Sequence, residues 1–208
     1  MSVMSDWAVP TATGQHIVTR RVRAAVLPSV RDCVLPAIQR DRQLSESTFT
    51  QTSGVLAMTC RVAVNIEASV EIVWELLADA KGYSRWNSTV TDIEGQIREG
   101  ERLLLHVPGT SRVFTPKVSS IVPGRHMTWS NGHALIFRGV RAFDLSPRNK
   151  ASTDFQMQER FSGLVFALTK GALPDFRPVF EAYADDLKRE AQRIAHERNC
   201  VLPVEVNA

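Results

Sequence analysis

The stretch "CRVAVNIEASVEIVWELLADA", residues 60–80, decides the fold because its hydrophobic period changes part of the way along. In its first nine residues apolar and polar side chains alternate, which is typical of a half-buried strand. From Ser69 onward the apolar side chains recur at three and four residue steps, the period of an amphipathic helix. Ser69 is also a residue type that caps helix starts. The sequence therefore predicts a domain that opens with a strand followed by a helix.

After Asn87 the chain becomes a series of short β-like runs separated by turn-forming residues. The runs are "STVTDIEG", "RLLLHV", "RVFTPKVSSIV", "HMTWSNG", "LIFRGVRAFDL" and "STDFQMQERF". The chain closes with "DFRPVFEAYADDLKREAQRIAHER", residues 175–198, whose apolar residues have helical spacing and whose Asp175 and Pro178 suit a first turn. This order predicts an α+β domain in which a curved antiparallel sheet of about seven strands wraps around one long C-terminal helix. A single helix does not fill such a curl, so we expect an apolar cavity between sheet and helix.

Composition excludes several classes of function. The chain has 208 residues and a net charge of +3, with 25 basic and 22 acidic residues well mixed along it. This balance gives no basic stripe, so we expect no nucleic-acid partner. No apolar run approaches the roughly 18 residues that a membrane span requires, and the N-terminus lacks the apolar stretch of a secretory signal. We therefore expect a cytoplasmic protein without a membrane span, and leave its oligomeric state open.

Cysteine and histidine spacing gives no sign of a metal or cofactor. Cys33, Cys60 and Cys200 are far apart and form no Cys-x-x-Cys pair, which favours reduced thiols over a disulfide framework or a zinc site. The five histidines show no metal-ligand spacing, and we interpret each as an ordinary surface or turn residue. The sequence also lacks a nucleophile elbow, a phosphate loop and a dinucleotide fingerprint. We predict that the protein uses no metal and no cofactor.

Residues 1–57 differ from the rest and are interpreted as a poorly ordered N-terminal extension. Pro28 and Pro36 interrupt its helical spacing, and "QLSESTFTQTSG", residues 43–54, has the composition of a linker. An Arg-rich leader of this kind is also compatible with a transit peptide, and a translation start at Met58 is a further alternative. The domain pattern covers residues 58–197, and residues 198–208 are predicted to be a C-terminal tail.

Several short motifs, taken in order, resemble those of the START/SRPBCC superfamily of helix-grip proteins, in particular its polyketide cyclase/dehydrase and lipid-transport branch. They are "YSRWN", "EGQIREGERLLL", "TPKV", "PGRHMTWSNG", "FRGVRAFDL" and "TDFQMQERFSG", followed by the C-terminal helix. The resemblance implies a helix-grip fold with a hydrophobic ligand cavity, in a superfamily that contains carriers, receptors, cyclases and dehydratases. The chain departs from many relatives at Ser88, where they have proline, so we expect a less rigid turn after Trp86.

Strand alternation places two charged residues among apolar ones. In 135–145 the more apolar set contains Phe137, Arg141 and Phe143, and in 153–161 the inward set contains Met157 and Glu159. If the "SPRNK" turn places Phe143 opposite Phe155, Arg141 lies opposite Met157 and diagonal to Glu159, so that the two charges form an ion pair inside. A register one residue different would put both in solvent.

We therefore predict binding of a small hydrophobic molecule, lipid- or polyketide-like, with a polar end at Arg141 and Glu159. A metal-independent cyclase/dehydratase acting through Arg141, Glu159 or Tyr183 is an alternative, and a protein-interaction module, similar to co-chaperones of this fold, is a second. Trp86 is interpreted either as a plug of the core or as a gate over the ligand. The candidate ligand-binding residues are Tyr83, Trp86, Trp129, Phe137, Arg141, Phe143, Phe155, Met157, Glu159, Phe180 and Tyr183.

Overall fold

The structure, a computed structural model, describes residues 47–169 and 175–201. The strands are β1 (Thr48–Ser53), β2 (Ala57–Ile66), β3 (Asp92–Glu94), β4 (Leu104–His106), β5 (Lys117–Val122), β6 (His126–His133), β7 (Phe137–Asn149) and β8 (Ser152–Ser162). The helices are α1 (Val70–Ala78), α2 (Tyr83–Trp86), α3 (Leu164–Thr169) and α4 (Arg177–Val201), with a 3-10 turn at Ala80–Gly82. No helix in these two ranges is long and apolar enough to cross a membrane.

A six-stranded antiparallel sheet in the order β1-β2-β8-β7-β6-β5 forms the centre of the fold, and α4 packs against it. The short strands β3 and β4 make a separate two-stranded sheet. The α+β prediction, with an antiparallel sheet and one long C-terminal helix, is thus confirmed, although two of the predicted strands leave the main sheet. They remain close to it, because Leu105 bridges to Phe114 just before β5.

The core lies between the inner face of the sheet and helices α1 and α4. On α4 the side chains of Phe180, Tyr183, Leu187 and Ala191 are buried. These positions repeat at three and four residue steps, so one face of the helix is apolar. Asp175 accepts the Arg177 N–H at 2.9 Å and so caps the helix start, as its position predicted.

Strand β1 corrects the prediction that residues 43–54 are only a linker. Thr48–Ser53 pairs with β2 along its whole length, from Thr48 opposite Ala63 to Ser53 opposite Met58. Phe49 on this strand meets the ring of Phe180 at 5.9 Å between centroids. Threonines and a phenylalanine favour a strand, and the Ser/Thr/Gln composition concealed that preference. The predictions for residues 1–46 lie outside the described residues.

Two further local predictions differ in part from the structure. Ser69 occupies the cap position of α1, but its side chain makes no capping hydrogen bond. In the β7–β8 hairpin Phe143 lies opposite Met157, and Leu145 lies opposite Phe155. The register differs by two residues from the predicted one because the strands pair as far as the tight turn after Asn149, with an irregularity next to Pro147. A shift of two residues leaves every side chain on its predicted face.

Candidate functional site

The predicted ion pair forms on the inner face of β7 and β8. Arg141 lies directly opposite Glu159 and not diagonal to it, as a consequence of the observed register. Its Nε and Nη2 atoms both donate to Oε2 of Glu159, at 2.9 and 2.6 Å. The guanidinium also lies 5.7 Å from the centre of the Phe180 ring. The pair is therefore fixed by two strands and by one aromatic ring of α4.

Both charged side chains remain partly accessible. Arg141 retains 19% and Glu159 retains 16% of its side-chain surface, whereas Phe143 and Met157 next to them retain 1% as whole residues. Burial opposes the charge on Arg141, but the Glu159 carboxylate outweighs it and raises the guanidinium pKa above its usual value. The Arg141 guanidinium is therefore charged, and the pair stays partly accessible on an inner face whose neighbouring side chains Phe143 and Met157 are buried.

The pair has unused hydrogen-bonding capacity. Within the part of the chain that the structure describes, Arg141 Nη1 and Glu159 Oε1 have no hydrogen-bond partner. Gly139 is the next inward position on β7. A side chain there would crowd the carboxylate, since its Cβ would lie only 3.2 Å from Glu159 Oε1, so the glycine leaves that oxygen uncovered. A bound molecule could thus reach both a donor and an acceptor.

Cys60 on β2 lies opposite Glu159 on the other side of β8. Burial, with the nearby charges of Glu159 and Asp175, raises the pKa of its thiol to about 11. The thiol is therefore protonated at neutral pH and adds no charge to the site. Sequence reasoning missed Cys60 and Gly139, because only the pairing of the strands brings them to Glu159.

Most of the other predicted site residues pack against one another around Tyr183. The centroid of its ring lies 5.8 Å from that of Trp86, 5.9 Å from that of Phe143 and 6.3 Å from that of Phe155. Trp129 joins the group through Phe143 at 5.0 Å. All are at most 6% exposed. We call Tyr83, Trp86, Trp129, Phe143, Phe155 and Tyr183 the aromatic cluster.

The two tyrosines of this cluster share a hydrogen bond with a defined direction. The Tyr83 hydroxyl lies 3.0 Å from the Tyr183 hydroxyl and donates to the Leu77 carbonyl at 3.2 Å. Because Tyr83 has one proton and gives it to Leu77, Tyr183 must donate to Tyr83. Burial raises the pKa of both phenols. Both are therefore neutral at ordinary pH, and neither has a proton to give to a bound molecule.

Three buried donors of this region lack an acceptor. Trp86 Nε1, Trp129 Nε1 and Asn87 Nδ2 have no hydrogen-bond partner among the described residues. Buried N–H groups are rarely left in this state, so these three donors are unsatisfied polar atoms within a closely packed aromatic region. No pattern of residue types indicates these unpaired donors, since Trp86 and Trp129 are predicted site residues only because of their apolar rings.

The turn after Trp86 is held from two directions. Asn87 Oδ1 accepts the Thr89 N–H at 2.8 Å, which confirms the prediction that Asn87 bonds the backbone of its own turn. Ser88 donates its N–H and its hydroxyl to Asp186 Oδ2 on α4, each at 2.6 Å. The expectation of a less rigid turn is therefore not supported, because Ser88 ties the turn to the long helix. Trp86 itself is 6% exposed, as expected of a core residue, and its role as a gate stays a prediction.

Phe137 lies apart from the aromatic cluster. Its ring contacts Phe161 at 6.1 Å and Phe166 of α3 at 6.5 Å, and Phe161 stacks on Phe176 at 4.8 Å. Along β7 the position of Arg141 lies between Phe137 and Phe143. The candidate site thus consists of two aromatic groups with the ion pair between them, and Phe166 and Phe176 were missed in the prediction.

One cluster could hold a metal ion. The ligand atoms of Asp92, Glu94 and His106 lie within 4.8 Å of one another, because β3 pairs with β4 and places Asp92 opposite His106. The two acids are exposed, and Glu94 already pairs with His106 at 3.3 Å. Such surface groups are common without a bound ion, and we assign none. The absence of a metal stays a prediction.

A surface pocket of about 260 Å³ lies elsewhere, lined by residues 78–81 and 95–98. It shares no residue with the ion pair or the aromatic cluster.

The antiparallel sheet with the long C-terminal helix packed on it defines a START-like helix-grip fold. The chain belongs to the polyketide cyclase/dehydrase and lipid transport family, whose model matches residues 57–192. The predicted superfamily is thereby confirmed. No curated protein sequence matches the chain.

Solved structures show the same fold. A START superfamily protein from Mycobacterium smegmatis is 19% identical with a TM-score of 0.52, over 65% of this chain and 98% of that one. A conserved protein of unknown function from Enterococcus faecalis is 13% identical with a TM-score of 0.52, over 77% of this chain and 82% of that one. At such low identity the likeness extends to the fold alone.

Proposed function

We propose that this domain binds a small, mostly apolar molecule, lipid- or polyketide-like, between the sheet and α4, and that Arg141 and Glu159 hold its polar head. The observation that carries the proposal is an ionised, partly accessible pair on an otherwise apolar inner face. The family description, which covers polyketide cyclases, dehydrases and lipid transport, supports an apolar ligand.

Stability is a poor explanation for the pair. Removing two charges from water costs several kcal/mol per ion, and a well-packed apolar pair is often at least as stable. Recognition explains it better, since Arg141 and Glu159 are fixed in position and still have Nη1 and Oε1 available. Ligand sites commonly combine an apolar wall with a few fixed polar groups.

The charges around the pair favour a neutral head. Glu159 already neutralises Arg141, and Asp175 is close enough to raise the pKa of Cys60. A carboxylate head would add a negative charge that no free cation of the pair compensates, which is costly where water is largely excluded. A hydroxyl or carbonyl head can use Nη1 as donor, and a hydroxyl can also donate to Oε1. We therefore propose an alcohol-like or ketone-like head.

Catalysis has less support from the described side chains. Tyr183 is neutral and donates to Tyr83, and Glu159 is held by two bonds from Arg141. Tyr183 is therefore not placed to act as a general acid, and the charge of Glu159 is paired with Arg141 and not free. Ligand binding is therefore the better supported function, and a cyclase/dehydratase activity is the alternative.

The test compares a long-chain alcohol with the alkane of equal length as competitors of an apolar fluorescent probe. The main variant is R141M/E159M, which keeps the face apolar and leaves no unpaired charge. It should lose affinity for the alcohol by about tenfold, the equivalent of one lost hydrogen bond to a charged group. Its affinity for the alkane should stay within about twofold.

The matched control is E159Q, which frees Arg141 from its counter-charge. It should improve binding of the fatty acid of equal length relative to the alcohol, because the guanidinium can then pair with the ligand carboxylate. Equal losses for alcohol and alkane in R141M/E159M would remove the pair from the site. Native mass spectrometry of the purified chain, which detects a retained molecule by its mass, would test the ligand class directly.

A further inference from the structure

Large apolar side chains are exposed together at one end of the main sheet. They come from the β1–β2 turn, the β6–β7 turn and α3, three segments that are distant in sequence. Their exposed fractions run from 57% to 86%. We call them the apolar tip: Val55, Leu56, Leu135, Ile136, Leu164 and Leu168.

Backbone hydrogen bonds hold the three segments next to one another. The Leu164 N–H donates to the Leu135 carbonyl at 3.1 Å, and the Val165 N–H donates to the Ile136 carbonyl at 2.9 Å. The Gly163 N–H reaches the Leu56 carbonyl at 3.4 Å. The tip is therefore one continuous surface.

Helix α3 shows why these side chains cannot turn inward. Phe166 at its centre is fully buried and contacts Phe137, which fixes the rotation of the helix. Leu164 and Leu168, four residues apart, consequently share the outward face, with 65% and 86% exposure. A contiguous exposed apolar surface of this kind marks an interaction site in soluble proteins.

Positive charge lies beside the tip. Arg138 and Arg160 are exposed on the outer face of β7 and β8, where they are diagonal neighbours, since Arg138 pairs with Ser162 and Arg160 with Val140. Neither makes an ion pair with a carboxylate among the described residues. The outer rim of the tip is therefore cationic.

We propose that the apolar tip docks on an anionic lipid bilayer, with its aliphatic side chains entering the headgroup region and Arg138 and Arg160 contacting lipid phosphates. Apolar side chains flanked by cations are the combination that an anionic membrane surface binds. This surface lies outside the inner-face site, so the inference does not depend on the proposed ligand.

The test is flotation of the full chain with vesicles of phosphatidylcholine alone and with vesicles of equal parts phosphatidylcholine and phosphatidylserine. We expect binding to the anionic vesicles that weakens as salt rises. L168D should reduce the partition coefficient by about tenfold or more, from the burial free energy of one leucine side chain. R138Q/R160Q should reduce it by about fivefold per arginine, and on anionic vesicles only.

The matched control is V122D. Val122 is 49% exposed but lies at the opposite end of the sheet, before the β5–β6 turn. V122D should bind vesicles as the unaltered chain does, and thermal unfolding of each variant shows that it is folded. Absence of vesicle binding, or equal losses in L168D and V122D, would overturn the proposal. So would a stable dimer that L168D dissociates while vesicle binding is absent, since the tip would then contact a second copy.

Discussion

The Arg141–Glu159 pair allows a sharp test of whether its charges serve stability or recognition. In R141M the Glu159 carboxylate keeps its inward position but loses both hydrogen bonds. Removing one partner of a fully buried pair costs about 3–5 kcal/mol. Because these side chains keep 19% and 16% of their surface, water offsets part of that cost, and we expect about 2 kcal/mol for R141M and about 2 kcal/mol for E159M.

The double variant R141M/E159M leaves no unpaired charge. Its free energy of unfolding should lie within about 1 kcal/mol of the unaltered chain, since two methionines can fill the space of the pair. Independent effects would add to about 4 kcal/mol, so the expected coupling energy is about 3 kcal/mol. Urea unfolding followed by tryptophan fluorescence measures all four proteins, because Trp86 and Trp129 are buried and report on the core.

Two outcomes would refute this reasoning. If the free energy of unfolding of the double variant falls by the full sum of the two single losses, the coupling energy is zero and the contact between the two charges does not contribute to stability. If the stability of the double variant falls between that of the single variants and the full sum, the pair contributes to folding, and the argument that Arg141 and Glu159 are present for recognition fails.

The remaining predictions concern the turn, the edge strand and the buried thiol. Ser88→Pro should cost about 2–4 kcal/mol of unfolding free energy because both bonds to Asp186 are lost, whereas Ser88→Ala, which keeps the N–H, should cost about half as much. Phe49→Ala should cost about 1–3 kcal/mol in the same urea assay, and no loss would mean that β1 does not contribute to the domain. Since folding raises the pKa of Cys60 to about 11, the folded state keeps a proton that the unfolded chain releases near pH 8.5. Stability should therefore fall as pH rises from about 8.5 towards 11, and Cys60→Ala should flatten that slope; an unchanged slope would show that another group titrates.

Sequence periodicity was sufficient for the longer elements from β2 onward and for their faces. Strand β2, helix α1 and the long α4 lie where their periods of two and 3.6 residues predicted them. Alternation also predicted that Arg141 and Glu159 lie on the inward face of β7 and β8, and the structure has both residues there. Alternation fixes the face of a strand but not its partner, and the register error of two residues follows from that difference.

Features that depend on contacts between distant segments could not be predicted. The leucines of α3 have helical spacing, and the same spacing would fit a helix face packed in the core. Only the burial of Phe166 shows that Leu164 and Leu168 face outward. Strand β1 is recognisable only through its pairing with β2. The unpaired N–H groups of Trp86 and Trp129 depend on how closely the rings pack, which no pattern of residue types records.

The bond between Ser88 and Asp186 has a consequence for the evolution of this family. Where relatives have proline after the asparagine, the backbone of the turn offers no N–H, and an acid on the helix at the position of Asp186 would be buried without that partner. A chain that changes from proline to serine gains an N–H and a hydroxyl, and in this structure both donate to Asp186. Across homologues we therefore expect the two positions to vary together, with serine beside an acid and proline beside an apolar or small residue. The residue type at this position of the long helix would then depend on the residue type of a turn 98 residues earlier in the chain.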